Sequence, residues 1–552
     1  MMRTIGLATL ITLSTAASAA GQRTEGDYVL SDFKFASGET LPELRIHYVT
    51  LGKPRRDANG VTRNAILMLH GTTGSGTGLV NPMSSLFAPG AQLDTTQHYV
   101  IFPDGIGHGR SSKPSDGMRM KFPKYTYDDM VDAQRRLLVE ALGVRHLKLV
   151  MGTSMGCMHA WVWGERYVNF AEALVPLACA PTAIAGRNRM IRKTIIDAIM
   201  SDPEWKGGDY TAPPLRGMRA AVASLWVMSS APLVQHRVAP TRAQADSAMT
   251  AYLDRQSRAL DANDVIYAFE ASRHYDPSPR LETITVPVLT INSADDFVNP
   301  PELGLMEKLI PRVKNARYVL IPTSERTSGH GTHSQPAIWG EYLRDFLKAQ
   351  LLLDPANAEW TRPAPEVSRL SFETTKGTFV LELHRAWGPI GADRLYNLAR
   401  LGYYDDTRFH RVNKGYIAQF GLHGDPRVNA AWKERYLADD PPRSNNVRGS
   451  FAFSYKGPGY PNTRNTQIYI NLADNARNDA EPFTVLGRVV EGMAVLDSLY
   501  SGYGENSGSG VRQGRQGPLE TGGNAFMDRE YPLLDRVLRL TVNTVAREKE
   551  KP

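Results

Sequence analysis

The chain has 552 residues, 42% of them hydrophobic and 22% charged, a balance that excludes a disordered or fibrous protein. Its length exceeds one ordinary domain of about 100–200 residues, so two or three domains are expected. The formal charge of +7 is spread along the chain without a basic stripe, which argues against a nucleic-acid partner.

Arg3, an apolar run over residues 5–13 and small residues over 14–20 have the order of a secretory signal peptide. Residues 1–20 are therefore predicted to be removed, leaving a secreted protein of the bacterial periplasm. No later stretch reaches the roughly 18 uninterrupted apolar residues of a membrane span, so no stable membrane insertion is expected. The only cysteines are Cys157 and Cys179. Secretion permits a bridge between them, but their spacing alone shows no disulfide geometry, and two buried free thiols are the expectation.

Apolar runs at 65–69 and 98–102 break into His70-Gly71-Thr72-Thr73-Gly74 and Pro103-Asp104-Gly105, as buried strands feeding glycine loops do. Residues 127–142 have helical spacing, and strand-like runs follow at 147–151, 174–178 and 286–291. Alternating strands and helices predict a mostly parallel sheet with helices on both faces. The polar, helical stretch 180–281 is expected to form a helical lid. Residues 353–368, with Pro355, Pro363 and Pro365, are expected to be a linker. Beyond it, 370–374 and 378–383 alternate around Lys376-Gly377, the pattern of a β-hairpin opening a second, β-rich domain. The predicted domains are 21–352 and 369–545, with a charged tail at 546–552. A Gly/Ser-rich loop covers 501–517.

Gly152-Thr153-Ser154-Met155-Gly156 follows the 147–151 strand and precedes a helical run, matching the G-x-S-x-G turn that lifts a serine nucleophile into a cleft. A hydroxyl needs a base, and this arrangement places Asp and then His after Ser in the chain. Asp296, with Asp295 as alternative, is the expected carboxylate. His330, flanked by glycines, is the expected base, with His333 as alternative. The backbone N–H groups of Thr72 and Met155 are the expected oxyanion donors. His70 and His108 are expected to pack the loops. No carboxylate or cysteine cluster stands beside the histidine pair, so neither metal nor cofactor is expected.

Asp94-Thr95, Gly152-Thr153-Ser154-Met155-Gly156-Cys157-Met158 and the stretch from Ala198 to Tyr210 resemble the homoserine O-acetyltransferase group of the α/β-hydrolase superfamily. The resemblance implies acyl transfer through a Ser154 acyl-enzyme served by Asp296 and His330. The loop Asp104-Gly105-Ile106-Gly107-His108-Gly109-Arg110-Ser111 looks like that of hydrolases, and a secreted enzyme would not meet acetyl-CoA. Hydrolysis of a small ester or amide is therefore the expectation, with O-acyl transfer as alternative.

Further along, Phe409-His410-Arg411-Val412, Tyr416-Ile417-Ala418-Gln419-Phe420-Gly421, Asn465-Thr466-Gln467-Ile468-Tyr469-Ile470 and the Phe483 to Met493 stretch resemble cyclophilins, prolyl isomerases built on a closed β-barrel capped by helices. By that resemblance Arg411 is the catalytic group. Phe409, Tyr416, Gln419, Gln467, Tyr469 and Phe483 would hold the prolyl peptide, and the partners are proline-containing peptides or unfolded protein clients. Asn478-Asp479-Ala480-Glu481-Pro482 departs from the Trp-Leu pair often found there, so strong cyclosporin binding is not expected. The competing expectation is a non-catalytic chaperone or scaffold carrying two relic sites.

Overall fold

A computed structural model describes residues 23–503 and 516–544. The expected leader, the charged tail and most of the Gly/Ser-rich loop lie outside the described residues. The chain divides into two compact units, 1–344 and 345–552. The boundary precedes the expected 353–368 linker. That segment is not a free spacer: Trp360 is buried, its ring meets that of Trp432 edge-on at 4.7 Å, and Asn397 Nδ2 donates to Arg362 O at 2.7 Å. Trp360 belongs to the second core, with Leu352 and Leu370, and Leu353 packs against it.

In the first unit eight strands form one sheet: β1 (Arg23–Lys34), β2 (Thr40–Leu51), β3 (Ala65–Leu69), β4 (Tyr99–Pro103), β5 (Leu149–Thr153), β6 (Leu174–Leu177), β7 (Val288–Ser293) and β8 (Ala316–Ile321). Their spatial order is β1-β2-β4-β3-β5-β6-β7-β8. The β1–β2 and β2–β4 pairs are antiparallel and the remainder parallel. The central strands β3, β4, β5 and β6 are buried along their whole length, as continuous apolar runs covered on both faces must be. The helix Tyr127–Arg136 starts on a capping box in which Thr126 Oγ1 and the Asp129 carboxylate exchange hydrogen bonds with each other's backbone N–H.

Between β6 and β7 lie the helices Gly186–Met200, Leu215–Ser229, Pro232–Val238, Arg242–Ala259 and Ala262–Glu270. They occupy the stretch expected to be a lid. Ile195, Ile199, Trp205, Met218, Val265 and Phe269 give this insertion a small core of its own.

The second unit is a curled antiparallel sheet of β9 (Val367–Thr374), β10 (Gly377–His384), β11 (Arg411–Asn413), β12 (Ile417–Phe420), β13 (Ser450–Phe453), β14 (Ile468–Asn471), β15 (Val485–Glu491) and β16 (Val537–Thr544). The order is β11-β12-β14-β13-β15-β10-β9-β16. Its edges meet where Val537 N–H donates to Thr407 O and Phe409 N–H to Asp535 O, each at 2.9 Å. The helix Pro389–Arg400 begins on the Asp440 carboxylate, which accepts from Ile390 N–H (2.9 Å) and Gly391 N–H (2.8 Å). Among the described residues no helix is long and apolar enough to cross a membrane.

Candidate active sites

Ser154 sits at the turn from β5 into the helix Met155–Arg166 with φ +55° and ψ −110°, a strained conformation for a residue bearing a Cβ. The turn is possible because its neighbours are glycines. A Cβ at Gly156 would collide with the Leu69 carbonyl, and one at Gly152 with that of Gly156. The helix is therefore drawn tightly against β3 and β5, and Ser154 Oγ projects from the corner.

His330 Nε2 lies 2.8 Å from Ser154 Oγ, and His330 Nδ1 lies 2.8 Å from Asp296 Oδ2. The Asp296 carboxylate also accepts from Val298 N–H (2.7 Å) and Asn299 Nδ2 (3.1 Å). Burial alone would raise its pKa. The imidazole charge and hydrogen bond, with those two donors, outweigh burial and hold it below the ordinary carboxylate value. Asp296 is thus ionised where it orients the Nδ1–H tautomer of His330, leaving Nε2 to accept the serine proton.

Asp295 has a different task. It accepts Gly329 N–H at 2.9 Å and is hydrogen-bonded to Ser293 Oγ, so it holds the backbone of the loop that carries His330. Gly329 has φ +60°, and a Cβ there would press on the Ser230 and Asp295 carbonyls. His333 does not reach Ser154. Its ring packs edge-on against that of His330 at 5.1 Å, and burial lowers its pKa to about 3, which keeps it neutral.

Thr72 lies in the turn closed by Gly74 N–H donating to Gly71 O. Gly71 abuts the nucleophile: a Cβ there would lie 3.3 Å from Ser154 Cβ. Met155 opens the helix after Ser154 and is buried. His70 and His108 sit under this loop with rings 5.2 Å apart, and burial lowers their pKa values to about 4 and 3. His70 Nε2 accepts Gly105 N–H at 2.9 Å.

A cavity of about 60 Å³ opens beside Ser154, lined by Met158, Ala178, Cys179, Arg192, Asn299 and Leu305 among others. Arg192 is buried, donating to Asn188 Oδ1 (2.9 Å) and Ser272 Oγ (3.0 Å) with its guanidinium 5.4 Å from the Phe269 ring centre. Among the described residues no carboxylate pairs with it. Sequence reasoning missed Arg192, because a cation among the other basic residues of its helix, Arg187, Arg189 and Lys193, reads as part of a solvated face. It missed Asn299 too, although an amide three residues after Asp296 is a spacing at which such a side chain reaches back. The two cysteines are not free thiols: they form a disulfide, with Cα atoms 5.9 Å apart. The turns after β5 and β6 bring together two residues whose separation of 22 specifies no geometry.

In the second unit a cross-strand row builds the other site. Arg411 on β11 pairs with Gln419 on β12, and Gln419 with Tyr469 on β14, so all three face one side of the sheet. Arg411 Nη1 donates to Gln419 Oε1 (3.1 Å), and Gln419 Nε2 donates to Gln467 Oε1 (2.9 Å). The Tyr416 ring lies 5.6 Å from the Arg411 guanidinium. Phe483 meets Tyr469 edge-on at 5.2 Å, and Tyr469 Oη donates to Asn446 Oδ1 at 2.8 Å. Ile417, Ala452, Tyr469, Tyr416 and Phe483 form an apolar cluster apart from the barrel core. Phe409 is not with them. It is fully buried in the main core, its ring 4.9 Å from Phe420 and 6.4 Å from Phe379, because it precedes β11 and points inward where the sheet edges meet.

An α/β-hydrolase unit with a charge-oriented serine is thus followed by a barrel carrying an arginine-centred apolar face. Residues 64–329 match the α/β hydrolase fold family, and residues 369–515 match the cyclophilin type peptidyl-prolyl cis-trans isomerase family. The chain is 31% identical over 290 residues to a probable acyltransferase of Methanothermobacter thermautotrophicus, covering 52% of this chain and 88% of that protein. It is 31% identical over 321 residues to a homoserine O-acetyltransferase of Chloroherpeton thalassium, covering 53% and 81%. The chain therefore belongs, through its N-terminal unit, to the homoserine O-acetyltransferase family of α/β hydrolases, to which a cyclophilin-type isomerase domain is joined. Solved structures share the first unit's fold. A homoserine O-acetyltransferase from Bacillus anthracis superposes with TM-score 0.53 at 22% identity, covering 59% of this chain and 97% of that one. An acetylester hydrolase from Corynebacterium glutamicum superposes with TM-score 0.52 at 18% identity, covering 59% and 96%.

Proposed function

We propose that this is a bifunctional enzyme of the bacterial periplasm: its N-terminal unit hydrolyses a small ester through a Ser154 acyl-enzyme, and its C-terminal unit isomerises X-Pro bonds in peptides or unfolded protein clients. The observation that carries the first half is the unbroken Ser154–His330–Asp296 hydrogen-bond chain at a strained turn beside a cavity. His330 takes the Oγ proton as Oγ attacks the carbonyl, and the N–H groups of Thr72 and Met155 receive the oxyanion. The proton then passes from His330 to the departing alcohol, and water, deprotonated by the same imidazole, releases the acid. The uncompensated charge of Arg192 suits a substrate with an anionic group in its acyl or alcohol part. A disulfide beside the site and the leader-like residues 1–20 support an oxidising compartment.

Amide resonance gives the X-Pro bond a barrier of about 20 kcal/mol to rotation. Arg411 would hydrogen-bond the prolyl nitrogen as it pyramidalises, an interaction available mainly in the twisted transition state. Gln419 and Gln467 would hold the peptide backbone, and Tyr416, Tyr469 and Phe483 would enclose the ring.

A second reading, O-acyl transfer, is favoured by the sequence similarity to a homoserine O-acetyltransferase. The two are separated by incubating a short-chain aryl ester with and without homoserine or serine. Hydrolysis predicts acid released at the same rate without acceptor. Turnover that requires the amino-acid alcohol and yields its O-acyl product would establish transfer.

A further inference from the structure

The disulfide occupies a mechanically significant place. Cys157 lies three residues beyond Ser154 in the first turn of the nucleophile's helix, and Cys179 lies two residues beyond β6 and lines the cavity. Both are buried. Between β6 and Cys179 stands Ala178 with φ +65°, a left-handed conformation that a residue with a Cβ keeps only when its surroundings enforce it.

Those surroundings are specific. Ala178 N–H donates to Ile291 O at 2.9 Å, and Ala178 O accepts from Asn299 Nδ2 at 3.0 Å. The same Nδ2 donates to Asp296 Oδ2 at 3.1 Å. Cys179 O accepts from Asn292 Nδ2 at 3.2 Å. A closed ring of bonds results, running from Ser154 along its helix to Cys157, across the sulfurs to Cys179 and Ala178, through Asn299 to Asp296, and by His330 back to Ser154. Breaking the sulfur bond opens that ring and leaves the strained corner that forms the cavity wall held by hydrogen bonds alone. In a reaction of this kind a misplacement of about 1 Å costs on the order of 100-fold in rate.

We propose that the Cys157–Cys179 bridge is a positioning element of the hydrolase site, and that its reversible two-electron reduction by a dithiol lowers hydrolase activity while leaving the isomerase untouched. The inference rests on the serine-hydrolase reading given above. In the step itself a thiolate of the dithiol attacks one sulfur, a mixed disulfide forms, and the second thiol closes the dithiol into a cyclic disulfide. Two electrons and two protons have then passed to Cys157 and Cys179, which leave as thiols. The isomerase is an internal control, since residues 345–552 contain no cysteine.

The test uses the full chain, oxidised, reduced with dithiothreitol and then reoxidised, with free thiols counted by mass after alkylation of a separate aliquot. Fluorophosphonate labelling of Ser154, kcat and KM for a short-chain aryl ester, the melting temperature and the prolyl isomerisation rate are measured in each state. On reduction, labelling and kcat fall about tenfold or more. They recover on reoxidation, while isomerisation is unchanged and the protein melts well above the assay temperature. The double variant Cys157→Ser/Cys179→Ser holds the low rate and ignores the dithiol. Equal labelling and kcat in the oxidised and reduced states would overturn the proposal alone, as would a loss that only tracks unfolding. Absence of labelling in both states would overturn the hydrolase reading and this proposal with it.

Discussion

At the scale of single residues, the tandem Asp295-Asp296 shows how neighbouring carboxylates divide two tasks. Asp296 touches the imidazole and fixes its tautomer, whereas Asp295 touches only backbone N–H and a serine hydroxyl in the segments around it. Their substitutions must therefore differ in kind. Asp296→Asn presents an amide N–H or a weaker acceptor to His330 Nδ1 and is expected to lower kcat by about 10³–10⁴-fold. Asp295→Asn retains a carbonyl oxygen for Gly329 N–H, so the His330 loop keeps its anchor and kcat falls by roughly tenfold or less. Steady-state kinetics on one aryl ester with both variants decides the matter. A larger loss at Asp295 would mean that the carboxylate assignment is reversed, and comparable losses would mean that the two carboxylates do not divide the tasks.

At the scale of elements, alternation along β11, β12 and β14 separates the isomerase face from the barrel core. Ile417, Gln419 and Tyr469 point to one side, and Ala418, Phe420, Ile468 and Ile470 to the other, where Phe409 joins them. Arg411→Ala is expected to lower prolyl isomerisation by about 100-fold or more with little change in melting temperature. Phe409→Ala should do the reverse, costing about 3–5 kcal/mol of stability through the cavity it leaves, while the remaining folded protein isomerises at the ordinary rate. A Phe409→Ala protein of unchanged stability and altered KM would return that residue to the peptide site. The same contrast marks what was legible in the sequence. The central strands and the nucleophile turn stood out because continuous apolar runs end in glycines. The β1–β2 hairpin did not, since β1 is mostly exposed and offers no such run. Nor did β8, a sheet-edge strand whose short apolar run, residues 318–321, ends in no glycine. Ser154, Asp296 and His330 could be read from chain order, and Asn299 from its spacing after Asp296, but the disulfide and Arg192 depend on turns that bring distant segments together.

At the scale of the whole molecule, the two units differ in how many neutral histidines they bury. In the first unit burial lowers His70 to about 4, His108 and His333 to about 3, and His159 well below the ordinary histidine value. In the second, burial lowers His410 to about 4 and also lowers His423. Each folded-state value lies below that of the unfolded chain, near 6.5, so the unfolded state takes up protons first as pH falls. The stability these groups contribute is fully present above about pH 6.5 and is lost progressively toward pH 4 and 3. At pH 5 His70, His108 and His333 each lose about 2 kcal/mol, as does His410, so three outweigh one by about 4 kcal/mol, just under the lower end of a domain's net stability of about 5–15 kcal/mol. His159 deepens the loss in the first unit and His423 that in the second. Asp264, pushed up to about 6 by burial, has the opposite sign and offsets part of one histidine's share. The hydrolase unit is therefore expected to be the more acid-labile. Thermal scans at pH 7 and pH 5, read by fluorophosphonate labelling for one unit and prolyl isomerisation for the other, measure this. The temperature at which labelling is lost should fall further between the two pH values than the temperature at which isomerisation is lost. Equal shifts, or a larger shift for the isomerase, would mean that the histidines around Ser154 and His330 take up protons within the folded state.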